Sequence, residues 1–88
     1  MTRDEYTDLY DSLCYGHDAD LLINGMRIFI EWNGEEIEVY EMNADKGKKL
    51  CALKGNDMFE TVSLLFASTI HGKVINDDVL DIQIIDIE

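Results

Sequence analysis

Cysteine and histidine are the residues whose types and spacing most resemble a site of chemistry in this chain. Cys14 and His17 are close in sequence, and with Cys51 and His71 they could supply the two-cysteine, two-histidine ligand set of a zinc ion. Such sites usually consist of two tight pairs, whereas Cys51 and His71 lie far apart. We therefore expect no metal and no other cofactor, and we interpret both cysteines as small buried apolar side chains.

A nucleophilic cysteine is the second possibility for chemistry. A reactive thiolate needs a lowered pKa, which a nearby positive group provides. Near Cys14 the sequence instead offers Asp11, Asp18 and Asp20, whose negative charges raise a thiol pKa. His71 follows a predicted helix, where a histidine acts as a partner of the helix dipole. No set of acid, base and nucleophile converges, so we expect no catalytic residues and no enzyme.

An acidic turn from Asn76 to Asp81 is the third candidate, because carboxylate oxygens bind calcium. The turn lacks the loop glycine and the closing glutamate of an EF-hand. A solvent-exposed acidic turn therefore explains these residues better than a calcium site.

The charge balance is the most unusual feature of the composition. The 88 residues include 19 acidic and 7 basic side chains, for a formal net charge of −12. This charge opposes direct contact with nucleic acid or an anionic membrane and favours a basic protein partner. No apolar run is long enough to span a bilayer. Two cysteines and no signal peptide favour a cytoplasmic location.

The acidic residues that could form a partner-binding surface fall into two groups. Asp4, Asp8 and Asp11 recur at helical spacing and form an exposed strip. Glu36 and Glu38 alternate with apolar residues on a predicted strand, and we expect the Glu38 side chain to be exposed. Such charge is explained either by solubility or by an interface in which carboxylates replace nucleic-acid phosphates.

The second group, Glu36 and Glu38, is expected to lie in a β-meander. Apolar residues alternate from Met26 to Trp32, and a second alternating run begins at Ile37. Asn33-Gly34 between them predicts a type I′ hairpin turn with positive φ at both residues. Asn24-Gly25 predicts a second turn, so that Met26 to Trp32 is the middle strand.

Helices are predicted on either side of this meander. Thr2 and Glu5 form a capping box, and Gly16 ends the first helix. The second helix begins near Asp57 and ends at His71-Gly72. The remaining predictions are a polar loop from Asn43 to Lys49, a fourth strand from Leu50 to Leu53 and a last strand from Asp81 to Ile87.

These elements predict one α+β domain over residues 1–88, with both helices on one face of an antiparallel sheet. The last strand is expected at a sheet edge or against the helices. The predicted core residues are Ile28, Ile30, Val39, Phe59, Val62, Leu65 and Phe66.

Turns and core positions from Asp18 onward follow a recognisable order. They are Asn24-Gly25, Ile28-Phe29-Ile30, Asn33-Gly34, Phe59 with Leu64-Leu65, Ile70-His71-Gly72-Lys73, and Asp81 to Ile87. This order resembles a loose group of small uncharacterised α+β domains from Firmicutes genomes and their phages. The resemblance implies the fold and no activity. In size and charge, the chain is also similar to anti-CRISPR and anti-restriction inhibitors of phages.

We therefore expect a non-catalytic interaction module, an inhibitor that mimics phosphates and blocks the basic groove of a nucleic-acid-binding protein. The alternative is a bacterial cytosolic domain of unknown role that binds a protein partner through its sheet.

Overall fold

The computed structural model of the chain describes residues 1–44 and 46–88. A short 3₁₀ helix at Val79–Asp81 precedes the last strand. The helices and strands of the described residues are α1 (Arg3–Cys14), β1 (Ala19–Ile23), β2 (Met26–Asn33), β3 (Glu36–Asn43), β4 (Lys46–Leu53), α2 (Met58–Ala67), β5 (Thr69–Ile70), β6 (Lys73–Val74) and β7 (Ile82–Ile87).

Five of these strands form one antiparallel sheet in the order β4-β3-β2-β1-β7. Strands β1 to β4 are consecutive neighbours, which confirms the predicted α+β fold and its meander. Strand β7 returns from the far end of the chain and pairs with β1, so the last strand lies at a sheet edge. A separate hairpin pairs β5 with β6.

The two Asn-Gly turns have different geometry. Asn24 and Gly25 have φ values of 50° and 79°, as a type I′ turn requires. At the second turn Asn33 still pairs with Glu36 as part of the strands, and Gly34 has a φ of 63°. A glycine with positive φ at the first central position is typical of a type II′ turn. The predicted hairpin is confirmed, but its predicted type I′ geometry is wrong.

Both helices pack on the same face of the sheet. Their buried side chains join those of alternate strand residues in one core, because successive strand residues point to opposite faces. All the predicted core residues except Phe59 are buried. The fully or almost fully buried members include Leu9, Leu13, Leu21, Ile23, Ile28, Ile30, Ile37, Val39, Val62, Leu65, Phe66 and Ile82.

The prediction that Phe59 is a core residue is wrong, because its side chain is 63% exposed. The helical periodicity does place Phe59 on the side of α2 that faces α1. Next to Phe59, however, α1 contributes Asp11 and Cys14, and these two residues line a surface cleft together with Phe59 and Tyr15. Two small or polar side chains cannot cover a phenyl ring, so the ring stays at the surface.

The ends of the helices follow from local capping. Thr2 and Glu5 form the predicted capping box, and Gly16 follows α1 with a φ of 90°. Helix α2 ends at Ala67 because Ser68 is already extended. The predicted end at His71-Gly72 is wrong: both residues have positive φ and form the turn between β5 and β6.

The predicted loop from Asn43 to Lys49 is largely strand. Strand β4 begins at Lys46, and Lys48 and Lys49 pair with Glu41 and Tyr40 of β3. Lysine and glycine are poor strand formers alone, but the acidic residues of β3 are favourable cross-strand partners. Position 45 of the predicted loop lies outside the described residues.

Candidate protein-interaction surfaces

The outer side of α1 carries the first group of predicted partner-binding residues. Asp4, Asp8 and Asp11 recur at intervals of four and three residues, which a turn of about 100° per residue brings onto one side of a helix. All three are exposed. The buried residues Leu9 and Leu13 lie on the opposite side. The structure therefore brings the three aspartates together on the surface that points away from the core.

These three carboxylates form no ion pair with any described residue. Asp4 lies in the first turn of α1, where the positive pole of the helix dipole favours an anion. Asp11 lies in the last turn, where an anion is unfavourable and no basic residue compensates it. Helix stability therefore explains Asp4 and does not explain Asp11.

Glu36 and Glu38 lie on the other side of the molecule. They alternate along β3 with Ile37 and Val39, whose side chains are in the core beneath the helices. The side chains of the glutamates consequently point to the opposite sheet face, on which no described helix packs. We call this surface the open sheet face. The five predicted partner-binding residues are thus divided between two faces and form no single surface.

The prediction that Glu38 is exposed is wrong, because the residue is only 5% exposed. The ammonium group of Lys49 forms an ion pair with the Glu38 carboxylate. The Tyr40 hydroxyl donates to the Oε1 atom of Glu38 over 3.3 Å. The hydrogen bond from Lys49 lowers the pKa of Glu38 and outweighs the opposing effect of burial. The same hydrogen bond raises the pKa of Lys49.

A second ion pair neutralises another part of the open sheet face. Asp20 is 4% exposed and accepts two hydrogen bonds from Arg27, of 3.0 Å from Nε and 2.7 Å from Nη2. Phe29 and Tyr40 are directly paired across β2 and β3 and are half-buried. The open sheet face therefore presents an aromatic pair and two paired carboxylates, those of Asp20 and Glu38. Glu31 and Glu36 on the same face form no ion pair among the described residues.

The cysteines and histidines considered for chemistry do not converge. Cys14 and Cys51 are free and half-buried. The Nδ1 atom of His17 lies 3.1 Å from the backbone oxygen of Glu88. His71 was predicted as a partner of the helix dipole, but its Nε2 atom lies 2.9 Å from Oε2 of Glu41. Within residues 1–44 and 46–88, no three His, Cys, Asp or Glu side chains are grouped as metal ligands.

Both thiols have a raised pKa. Burial is the main cause for Cys14 and Cys51, and for Cys14 the charge of Asp11 adds to it. The neutral thiol is therefore favoured at neutral pH, which opposes nucleophilic reactivity.

A cleft of about 560 Å³ beside the N-terminus contains two carboxylates that are already engaged. Glu5 accepts a 2.8 Å hydrogen bond from the backbone N–H of Thr2, and this bond lowers its pKa. Asp81 forms a 3.3 Å ion pair with Lys73. Met1 also lines this cleft, and the charge of its N-terminal ammonium group contributes to the lowered pKa of Glu5. That ammonium group is itself engaged, because it donates to the backbone oxygens of Val79 and Ile82.

Sequence reasoning missed one surface feature beside the aspartate strip. Tyr15 and Phe59 are 84% and 63% exposed, and both line a cleft with Asp11. Tyr15 follows Asp11 by four residues, so the helical spacing that defines the strip also includes Tyr15. The four-residue spacing between Asp11 and Tyr15 was the sequence signal from which an aromatic residue beside the strip could have been predicted.

No described helix has the length and apolar character needed to cross a membrane. Comparisons with known proteins found no matching family model, no matching curated protein and no matching solved structure.

Proposed function

We propose that this protein is a non-catalytic interaction module that binds a basic protein partner through the outer side of α1. The observation that supports this proposal is the strip of Asp4, Asp8 and Asp11, which is exposed and has no ion-pair partner among the described residues. Unpaired surface charge of one sign steers the encounter with a surface of opposite sign.

The proposed partner is a nucleic-acid-binding protein whose basic groove the strip occupies. Asp4 and Asp11 are separated by about 10 Å along the helix axis, at a rise of about 1.5 Å per residue. A DNA strand carries about three phosphates over the same distance. The strip thus offers a similar charge density to cations that normally contact phosphates. In this proposal the protein is an inhibitor of phage or mobile-element origin and acts in the bacterial cytoplasm.

A pull-down from bacterial lysate at low and high salt tests this function. The test variant is the triple replacement D4N/D8N/D11N, and the matched control is E31Q/E36Q/D86N, which removes the same charge from the open sheet face. We expect the aspartate triple to lose a nucleic-acid-binding protein that the wild type and the control retain at low salt. Adding the wild type to that protein should also displace its bound DNA. Capture that depends on the control residues instead would contradict the proposal.

The open sheet face supports the alternative function. Phe29 and Tyr40 form a cross-strand aromatic pair there, and aromatic side chains are enriched among the residues that dominate binding. In this alternative the protein is a bacterial cytosolic domain that binds a protein partner through its sheet. Binding would then depend on Tyr40 and would change little with salt.

A further inference from the structure

The outer side of α1 ends in a cleft with aromatic walls. Tyr15 follows the helix, Phe59 comes from the first turn of α2, and together with Asp11 and Cys14 they line a cleft of about 210 Å³. Met58, which is 41% exposed, lies close to this junction, since a Cβ atom on Gly16 would be 3.9 Å from its Cε. The end of α1 and the start of α2 therefore form one apolar surface next to the aspartate strip.

The fold gains little from these aromatic rings. A single exposed aromatic residue is ordinary on a protein surface. Here, however, Tyr15 and Phe59 are 84% and 63% exposed and line one cleft with a carboxylate that has no ion-pair partner among the described residues. Exposed aromatic residues that are grouped in this way mark interaction surfaces.

The size and charge of the cleft limit what can occupy it. Its volume of about 210 Å³ is below the range of about 300–1,000 Å³ that is typical of small-molecule sites. A single side chain is the appropriate size. Asp11 and Asp57 are both near enough to act on the Cys14 thiol, whose pKa is raised first by burial and then by these charges. These two carboxylates place negative charge beside the cleft, which disfavours an acidic occupant.

We propose that the cleft binds an arginine side chain of the basic partner, with the guanidinium group on the rings of Tyr15 and Phe59 and hydrogen-bonded to the carboxylate of Asp11. This inference rests on the proposed function and specifies the residue type that the partner contributes. A guanidinium group is planar, stacks on aromatic faces and pairs with a carboxylate through two parallel hydrogen bonds. A lysine ammonium is a more strongly hydrated point charge and matches such a cleft less well.

Titration calorimetry with two defined probes tests the inference. The probes are an arginine-only peptide and a lysine-only peptide of equal length. Wild-type protein is compared with Y15S/F59A, with D4N/D8N and with the control L80A, which removes an exposed apolar residue outside the cleft. Since the replaced cleft residues are exposed, the fold should be unaffected, and a chemical melt checks this.

We expect the wild type and L80A to bind the arginine peptide about 3- to 10-fold more tightly than the lysine peptide. In Y15S/F59A the two affinities should become equal because only arginine binding weakens. D4N/D8N should weaken both peptides and leave their ratio unchanged.

The other outcomes separate the two proposals. Equal affinities in the wild type, or an arginine preference that persists in Y15S/F59A, would contradict the proposal that the cleft binds arginine. The proposal that the aspartate strip binds a basic partner would remain supported. Failure of both peptides to bind, or binding that D4N/D8N does not change, would contradict the strip itself. A concentration-dependent dimer that Y15S/F59A abolishes would assign the cleft to a second copy of the chain and overturn the arginine proposal.

Discussion

The carboxylate of Glu38 on β3 is paired with the ammonium group of Lys49 on β4, on the open sheet face. This cross-strand pair explains why an acidic residue that alternates with apolar ones is nevertheless buried. It also assigns different roles to the acidic residues. Glu38 is paired within the sheet, whereas Asp4, Asp8 and Asp11 are exposed and form no ion pair among the described residues.

The Glu38–Lys49 pair should make stability depend on pH. The folded-state pKa of Glu38 is lowered, chiefly by the hydrogen bond from Lys49. Its stabilising contribution is therefore complete above the unfolded pKa of about 4.3 and is lost as the pH falls through the lower folded value. We expect E38Q to be less stable than the wild type at pH 7, and the difference to disappear in acid. Urea unfolding of both proteins at several pH values between neutral and acidic measures this difference in stability.

The matched control is E36Q, which removes the same charge from the same strand and face. Glu36 is not part of any ion pair among the described residues, so E36Q should be much closer to the wild type at pH 7. An E38Q variant as stable as E36Q at neutral pH would show that the ion pair contributes nothing.

Truncation should destabilise the protein strongly at Phe66 and hardly at all at Phe59. Phe66 is 1% exposed, and the rings of Tyr6 and Tyr10 contact it edge-on at centroid distances of 5.2 and 5.3 Å. Phe66→Ala should cost about 3–5 kcal/mol of unfolding free energy. Phe59→Ala should stay within about 0.5 kcal/mol of the wild type because the ring is mostly exposed. Chemical melts compare the two, and similar losses would mean that the assignment of the α2 core face is wrong.

The dipole of α1 predicts opposite effects for two aspartates of the strip. Asp11→Asn removes an anion from the last turn and should stabilise the protein by about 0.3–1 kcal/mol. Asp4→Asn removes one from the first turn and should destabilise it by a similar amount. Both variants should nevertheless weaken partner binding. If Asp11→Asn lowers the melting temperature, Asp11 has a structural role that the geometry does not reveal.

The thiols should react slowly in the folded protein. Burial raises the pKa of both Cys14 and Cys51, and Asp11 raises that of Cys14 further. We expect a thiol-specific disulfide reagent to modify each cysteine more slowly in the native protein than in the unfolded chain. Asp11→Asn should accelerate the modification of Cys14 and leave the rate at Cys51 unchanged. The variants Cys14→Ser and Cys51→Ser show which cysteine gives each rate. Native thiols that react faster than unfolded ones would indicate an activated cysteine.

Features that depend on neighbouring residues could be predicted from the sequence. The capping box of Thr2 and Glu5, the turn at Asn24-Gly25 and the alternating core of β2 each require contacts over a few positions. The order of these elements was enough to define the sheet meander.

Features that depend on distant residues could not be predicted in this way. Glu38 is buried against its cross-strand partner Lys49, and His71 contacts Glu41, which is 30 positions away in the sequence. Phe59 had the correct helical phase, but its exposure depends on the small size of Cys14 on the other helix. For the candidate surfaces, the aspartate strip was visible as a spacing, whereas the cleft required the relative placement of two helices.

The association rate with the captured basic partner, measured at low and high ionic strength, tests the central claim most directly. The variants are Asp8→Lys on the strip and Glu36→Lys on the open sheet face, which change the net charge equally. We predict that salt slows wild-type association steeply, because charge steering is screened beyond about 8–10 Å in physiological buffer. Asp8→Lys should reduce the association rate with little change in dissociation, and Glu36→Lys should behave like the wild type. Salt-insensitive association that survives Asp8→Lys would contradict the account.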